Sequence, residues 1–147
     1  MTVAAPVRTR DLVPSDAKVL GALSASLGGG ETEPDWAALL ERGTTIAVGA
    51  VAGGRIVGYA AGEIRGGFGM SGRTGWVEAF GIDLAHRGAG LGRGLLAELL
   101  RRFAAAGAVH AYTLVPPHDR VLAPFFRQLG FRDEPLTCLG CALWIAP

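Results

Sequence analysis

The feature that most constrains this sequence is a glycine-rich turn between a β-rich stretch and a strongly amphipathic helix. The turn runs Arg87-Gly88-Ala89-Gly90-Leu91-Gly92. The apolar residues from its end onward recur at helical spacing: Leu91, Leu95, Leu96, Leu99, Leu100 and Phe103. A helix N-terminus carries unpaired amides and a partial positive charge, and glycines let an anion approach those amides closely. The segment therefore predicts an anion site that suits a phosphate or pyrophosphate group.

Two common phosphate-binding patterns do not fit this turn. The dinucleotide pattern needs glycine or alanine in its sixth place, which is Arg93 counted from Gly88 and Leu95 counted from Gly90. A Walker loop needs Gly-Lys-Ser/Thr, and no lysine lies nearby. The pattern Arg-x-x-Gly-x-Gly does match, from Arg87 to Gly92. On its own it also fits a plain tight turn between a strand and a helix.

The rest of the sequence predicts an α/β fold in the order β-α-α-β-β-β-α-β-α-β-β. Strands are expected at residues 7–10, 44–51, 56–64, 74–83, 108–115, 131–133 and 138–145, with a hairpin turn at 52–55 and a mobile loop at 66–73. Helices are expected after Asp16, near Pro34, at 91–106, and before Leu129-Gly130. We expect one domain, residues 1–147, with a mixed central sheet and helices on both faces.

Several segments together resemble the GCN5-related N-acetyltransferase (GNAT) family. The Arg-x-x-Gly-x-Gly turn is similar to the pyrophosphate-binding motif of that family, and the element order is similar over nearly the whole chain. Residues 7–16 resemble its opening strand and Pro-x-Asp helix start. Phe-Phe-Arg-Gln-Leu-Gly-Phe at residues 125–131 resembles its closing helix. The resemblance implies the acyl-CoA N-acyltransferase fold and direct transfer of acetyl from acetyl-CoA to a primary amine in a ternary complex.

The resemblance also implies which residues hold acetyl-CoA. The strand backbone would pair with the pantetheine arm, the loop amides would hold the pyrophosphate, Arg87 would add charge, and Asp119 stands where the family often begins its last helix with asparagine. The expected cofactor-binding residues are Phe80, Gly81, Ile82, Arg87, Gly88, Ala89, Gly90, Leu91, Gly92, Arg93 and Asp119. Arg87 and Arg93 also fit an interpretation as solvated surface arginines.

Glu78 is the expected general base, because the family often places a glutamate on this strand. Strand alternation would put it on one face with Trp76, Phe80 and Ile82. Loss of hydration among apolar neighbours would raise the pKa of a carboxyl there toward a useful range. A structural, hydrogen-bonded carboxylate is the alternative.

The general acid is the main departure from the family. Its usual tyrosine in the last helix corresponds to Phe126, which cannot donate a proton. Tyr112 is the expected replacement, with Tyr59 and His118 as alternatives, although most strand tyrosines are core residues. Leu114 stands where relatives that acetylate ribosomal proteins carry a glutamate, so the match to that subgroup is poor. The missing tyrosine keeps open a second possibility, an acetyl-CoA-binding sensor or partner module with little catalysis.

Composition limits the partners. Fourteen basic and 13 acidic residues give a net charge of +1 without a basic stripe, so nucleic acid is not expected. No membrane segment or signal peptide is expected, and we predict a cytoplasmic protein. Cys138 and Cys141 have no second pair, so no metal is expected. The acceptor would be a small-molecule or peptide amine, and a homodimer is possible. Carboxylates at Glu31, Glu33 and Asp35 favour a cationic amine, or form a solvated acidic loop.

Overall fold

The computed structural model describes residues 6–28, 34–66 and 72–144. The chain forms two compact units, Met1–Leu114 and Val115–Pro147. The first contains β1 (Val7–Asp11), α1 (Ala17–Ser26), α2 (Trp36–Glu41), β2 (Thr45–Ala52), β3 (Arg55–Arg65), β4 (Arg73–Ile82), α3 (Leu91–Ala105) and β5 (Ala108–Thr113). The second contains α4 (Leu122–Gln128). Each predicted helix and the first five predicted strands are present, with ends shifted by a few residues.

The five strands form one mixed sheet in chain order. β1 to β4 pair antiparallel, and β4 pairs parallel with β5. Gly53 and Gly54 both have positive φ, at 57° and 75°, as the predicted two-residue hairpin between β2 and β3 requires. A parallel pair needs a long crossover, which α3 supplies between β4 and β5. The predicted mixed sheet is thus confirmed.

Helices cover both faces of this sheet, as predicted. On one face, Leu20 of α1 and Trp36 of α2 form a buried cluster with Tyr59, Ala61 and Ala79 of the sheet. The other face packs against α3, whose buried residues are Leu95, Leu96, Leu99 and Phe103. A Cβ added at Gly62 would lie 2.6 Å from Cζ of Phe103, and one at Gly75 would also collide with that ring. Glycines on two strands therefore make the space that Phe103 fills.

The last two predicted strands are wrong for the residues described. Residues 131–144 contain no strand, and residue 145 lies outside the described ranges. Strand preference depends strongly on a neighbouring strand that accepts and donates ladder hydrogen bonds. Pro135 and Gly140 also interrupt the segment. Cys138 and Cys141 are free and exposed in it, rather than on opposite faces of a strand.

Three other predictions concern segment ends and the membrane. α4 ends as expected at Leu129-Gly130, where Gly130 has φ of 97°. The loop expected to be mobile lies mostly at residues 67–71, outside the described ranges. Within residues 6–28, 34–66 and 72–144, none of the helices is both long and apolar enough to cross a bilayer.

Candidate active site

The turn before α3 has the geometry of an anion site. Gly88 and Gly90 have φ of 88° and 79°, which L side chains rarely adopt, so the turn requires glycine at both. Gly90 is the N-cap of α3 and no side chain caps the helix. The amides at the start of this 15-residue helix have no intrahelical acceptor by position. Residues 88–90 are exposed, so those amides face an accessible surface.

Arg87 folds back onto the end of β4. Its Nε donates to the backbone oxygen of Ile82 at 3.1 Å, and the contact is partly buried. The bond uses one of five guanidinium N–H groups, so four remain for other acceptors. Arg87 is therefore held at the junction of the strand and the turn, and both Arg87 and Arg93, on the first turn of α3, are exposed.

The end of β4, residues 78–82, extends beyond its pairing with β5, and we call the β5-facing side of this stretch the open edge. β5 pairs with β4 only from Arg73 to Val77, while β3 pairs with β4 as far as Ile82. Among the strands described, none pairs with the β5-facing edge of residues 78–82. On a strand paired along one edge, alternate residues direct their N–H and C=O groups to the open side. Phe80, Gly81 and Ile82 lie in this stretch, where the carbonyl oxygen of Ile82 accepts from Nε of Arg87. Their pairing with the pantetheine arm stays a prediction.

Glu78 is the extra residue of a β-bulge at the start of this open edge. Ala61 pairs with Ala79 and Gly62 pairs with Val77, which leaves Glu78 without a partner on β3. Its side chain is 21% exposed, while the residue as a whole is exposed. The exposure therefore belongs largely to its backbone.

The bulge corrects the predicted surroundings of Glu78. Strand alternation across the bulge is broken, so Trp76 lies on the α1–α2 face while Ile82 packs on the α3 side, near Gly58 and Leu95. Glu78 therefore shares a face with Trp76, as predicted, but not with Ile82. Both of its carboxylate oxygens accept from arginines.

A four-residue charge cluster holds Glu78. Its Oε2 accepts from Nη2 of Arg42 at 3.0 Å, and its Oε1 accepts from Nη2 of Arg65 at 2.6 Å. Glu63 on β3 accepts from Nη1 of Arg42 at 2.9 Å and from the Thr44 hydroxyl at 2.6 Å. The bond from Thr44, assisted by the charges of Arg42 and Arg65, lowers the pKa of the Glu63 carboxyl. Two carboxylates and two guanidinium groups balance, so the cluster has no net charge.

The arginines and the second carboxylate were not predicted as part of the site. Glu63 and Arg65 are two residues apart on one strand, which does place them on one face. Arg42 lies just after α2, however, and only the register of the folded sheet brings it to both carboxylates.

Tyr112 lies on the same face of the sheet as this cluster. Glu63, Trp76 and Tyr112 occupy matching positions on β3, β4 and β5. The rings of Trp76 and Tyr112 stack with centroids 5.1 Å apart. The last pair between β4 and β5 is Val77 with Thr113, so Tyr112 lies one residue before the end of this pairing. Its role as general acid stays a prediction.

The alternative acids differ in their surroundings. Tyr59 is a core residue that is 6% exposed and packs edge-on against Trp36, with centroids 4.9 Å apart. His118 is exposed in the loop of the second unit. His86 is half-buried, and its Nδ1 lies 3.5 Å from an oxygen of Asp83.

Within the second unit, Asp119 and Phe126 have structural contacts. Oδ1 of Asp119 accepts from the amides of Val121 and Leu122 at 2.9 and 2.8 Å. These bonds, the Leu122 amide above all, lower the pKa of the Asp119 carboxyl. Asp119 thus holds the backbone at the start of α4, whose N-cap is Val121. Phe126 is buried, with its ring 5.0 Å from that of Phe131.

Comparison with solved structures shows the same fold in several acetyltransferases. The aminoglycoside N-acetyltransferase AAC(6')-Iy in complex with CoA aligns with a TM-score of 0.81 at 18% identity, over 97% of this chain and 98% of that one. A ribosomal-protein-alanine N-acetyltransferase from Brucella melitensis biovar Abortus 2308 aligns at 0.78 and 20% identity, over 95% and 100%. A Trypanosoma brucei acetyltransferase aligns at 0.74 and 24% identity, over 93% and 100%.

Family membership comes from the sequence. No curated protein matches this chain. Residues 17–131, which include the open strand, the glycine turn and α3, match the Acetyltransferase (GNAT) family. This chain therefore belongs to the GNAT acetyltransferases, enzymes whose co-substrate is acetyl-CoA.

Proposed function

We propose that this enzyme moves the acetyl group of acetyl-CoA to a primary amine by direct attack, with Glu78 taking the proton from the amine. The observation that supports this most is the position of Glu78. It is the bulged residue directly after the last pair between β4 and β5, so it adjoins the stretch of β4 that we propose binds the co-substrate.

In this reaction Glu78 must accept a proton from the amine. The amine is mostly protonated near neutral pH, since an alkyl ammonium has a pKa of about 10.4. Each carboxylate oxygen has two lone-pair positions, and each accepts one guanidinium hydrogen bond. Two guanidinium bonds do not fill the four positions of the carboxylate, so it can also accept from the ammonium or from a bridging water. The deprotonated nitrogen then attacks the acetyl carbonyl carbon, the carbonyl π electrons move to the oxygen, and the nitrogen releases a second proton to solvent.

Collapse of the tetrahedral intermediate breaks the carbon–sulfur bond, and the electron pair leaves with the CoA sulfur. A thiol of this type has a pKa of about 8.5, so a thiolate is a tolerable leaving group near neutral pH. Tyr112 is the proposed donor that protonates it. Because the leaving group needs little help, loss of the donor should slow the reaction and not abolish it.

We propose a small-molecule or peptide amine as the acceptor. Aminoglycoside acetyltransferases, one of them described in complex with sisomicin, share the fold. Leu114, which is exposed, stands in place of the glutamate expected in relatives that modify ribosomal proteins. Asp35 caps α2 through the amide of Ala38 at 3.1 Å, so its carboxylate already has a structural role. Glu31 and Glu33 lie outside the described residues.

The test measures acetylated product by mass after incubation of the protein with acetyl-CoA and single amines. The amines are sisomicin, spermidine, a lysine-containing peptide and a peptide with N-terminal alanine. Product mass is the better readout because Cys138 and Cys141 are exposed thiols that would react with a colorimetric thiol reagent. We expect at least one amine to be acetylated.

Glu78→Gln should then lower kcat about 10²–10⁴-fold with acetyl-CoA affinity unchanged. Glu98→Gln is the matched control, because Glu98 is also paired with two arginines but lies on α3. Full activity of Glu78→Gln would refute the assigned base. Binding of acetyl-CoA without acetylation of any amine would favour an acetyl-CoA-binding module over an enzyme acting on these acceptors.

A further inference from the structure

Arg42 joins the two carboxylates of the charge cluster through two different nitrogens. Nη1 donates to Glu63 at 2.9 Å, and Nη2 donates to Glu78 at 3.0 Å. A planar guanidinium fixes the separation and orientation of its N–H groups. The residue follows directly after α2, so it connects that helix to β3 and β4 at one point.

We infer that Arg42 is a positioning residue for Glu78, an inference that rests on the proposed role of Glu78 as base. The bulge leaves Glu78 without a cross-strand partner on β3, so pairing with that strand does not fix its backbone. Its long side chain has several rotatable bonds, so its position depends on what its oxygens contact. Arg42 holds Oε2, and through its other nitrogen it fixes that oxygen relative to Glu63.

Arg65 contributes differently. Its Nη2 lies 2.6 Å from Oε1 of Glu78 and 3.7 Å from Oε2 of Glu63, so it forms a close bond to one carboxylate only. Glu63 keeps its bond from Thr44 whether or not Arg42 is present. Loss of Arg42 therefore frees one oxygen of Glu78 while most of the remaining cluster stays in place.

The charges around Glu78 predict how the pH dependence changes. Arg42 faces it from the end of α2, and Glu63 and Arg65 face it from β3. Removing Arg42 leaves two carboxylates and one guanidinium group, so a proton is bound more easily. The acidic limb of the kcat profile should then move to higher pH. A purely structural role for Arg42 would leave that limb unmoved.

The experiment compares parent, Arg42→Ala, Arg42→Lys and Arg101→Ala with the amine that the parent acetylates fastest. Arg42→Ala should lower kcat at least about tenfold with an unchanged KM for acetyl-CoA, and guanidinium chloride at low concentration should restore part of the rate. Arg42→Lys should also lower kcat, because one ammonium cannot fork two carboxylates in the same geometry. Arg101→Ala removes an arginine paired with Glu98 on α3 and should match the parent.

Melting temperatures are measured alongside. Arg42 is 42% exposed, and pairs of this kind contribute little to stability, so the variants should melt close to the parent. Parental kcat and pH profile in Arg42→Ala would overturn the inference, as would parental activity in Arg42→Lys if Arg42→Ala fails to fold. A variant that loses acetyl-CoA binding would also overturn it. A parent that acetylates no amine would refute the proposed function and the inference with it.

Discussion

Replacing Gly90 by alanine tests separately whether this glycine is required for folding and whether it is required for binding acetyl-CoA. Gly90 has φ of 79° and no atom within 4 Å of the position that a Cβ would occupy. The cost to the free protein is therefore backbone strain alone, about 1–2 kcal/mol for an L residue in the left-handed region. Gly107, at the other end of α3, has φ of 96° and offers ordinary van der Waals contact with Arg73 at 3.5 Å. Gly107→Ala should cost about the same.

The two variants should differ in their affinity for acetyl-CoA. Hydrogen bonds to charged groups contribute about 1.5–3 kcal/mol each, and a methyl group at the N-cap stands between a phosphate and the amides of α3. Loss of one such bond should weaken binding of acetyl-CoA at least about tenfold in Gly90→Ala. Gly107→Ala should bind as the parent does. Calorimetric titration gives the affinities, and urea unfolding gives the stabilities. Equal affinities in the two variants would show that the phosphates bind elsewhere.

Three further changes test separate parts of the account. Tyr112→Phe should lower kcat at least about tenfold with acetyl-CoA affinity kept, and a parental rate would mean that solvent protonates the thiolate. Gly81→Ala would place a Cβ 2.6 Å from Cζ and from the hydroxyl oxygen of Tyr59. The substitution should therefore lower the free energy of unfolding, measured with urea, by about 1–3 kcal/mol. Adding Tyr59→Leu to the same chain should restore part of that free energy. Asp16 accepts from Arg10 at 2.9 and 3.1 Å, which lowers the pKa of its carboxyl. Its charged form therefore stabilises the fold above the unfolded value of about 3.9, and this is lost as pH falls through the lower folded value. Asp16→Asn should thus cost about 1–2 kcal/mol at pH 7 and much less near pH 2, and an equal cost at both would contradict the sign.

Local patterns predicted the elements that we propose hold the co-substrate. The leucine spacing of α3 and the glycines before it gave both the helix and its exposed N-terminus, because each depends on residues close together in sequence. The hairpin between β2 and β3 was similarly local, since two adjacent glycines are enough to specify its turn.

Bulges account for what the sequence did not reveal about Glu78. Counting back from the hairpin would pair Thr45 with Gly62, but the bulge at Val57 shifts the register so that Thr45 pairs with Glu63. A second bulge at Glu78 leaves this residue on the face of Trp76 but places Ile82 on the opposite face. An extra residue in a strand leaves little signal in a hydrophobic pattern of period two, so neither bulge was predicted.

The predictions of strands at residues 131–133 and 138–145 were wrong for a different reason. The residues from Leu136 to Trp144 include apolar strand formers, yet a strand is defined by its partner, and residues 131–144 have none within the described sheet. Composition indicates which segments can pair but does not supply the pairing.

Unfolding in the presence of acetyl-CoA, ATP or NAD tests the assignment of the turn before α3 most directly. Acetyl-CoA at a hundred times its dissociation constant should add about 2.7 kcal/mol to the free energy of unfolding, because it binds the folded chain only. ATP and NAD at the same concentration should add little, since the turn fits neither the Walker nor the dinucleotide pattern. Stabilisation of this size by ATP, together with no stabilisation by acetyl-CoA, would contradict the assignment.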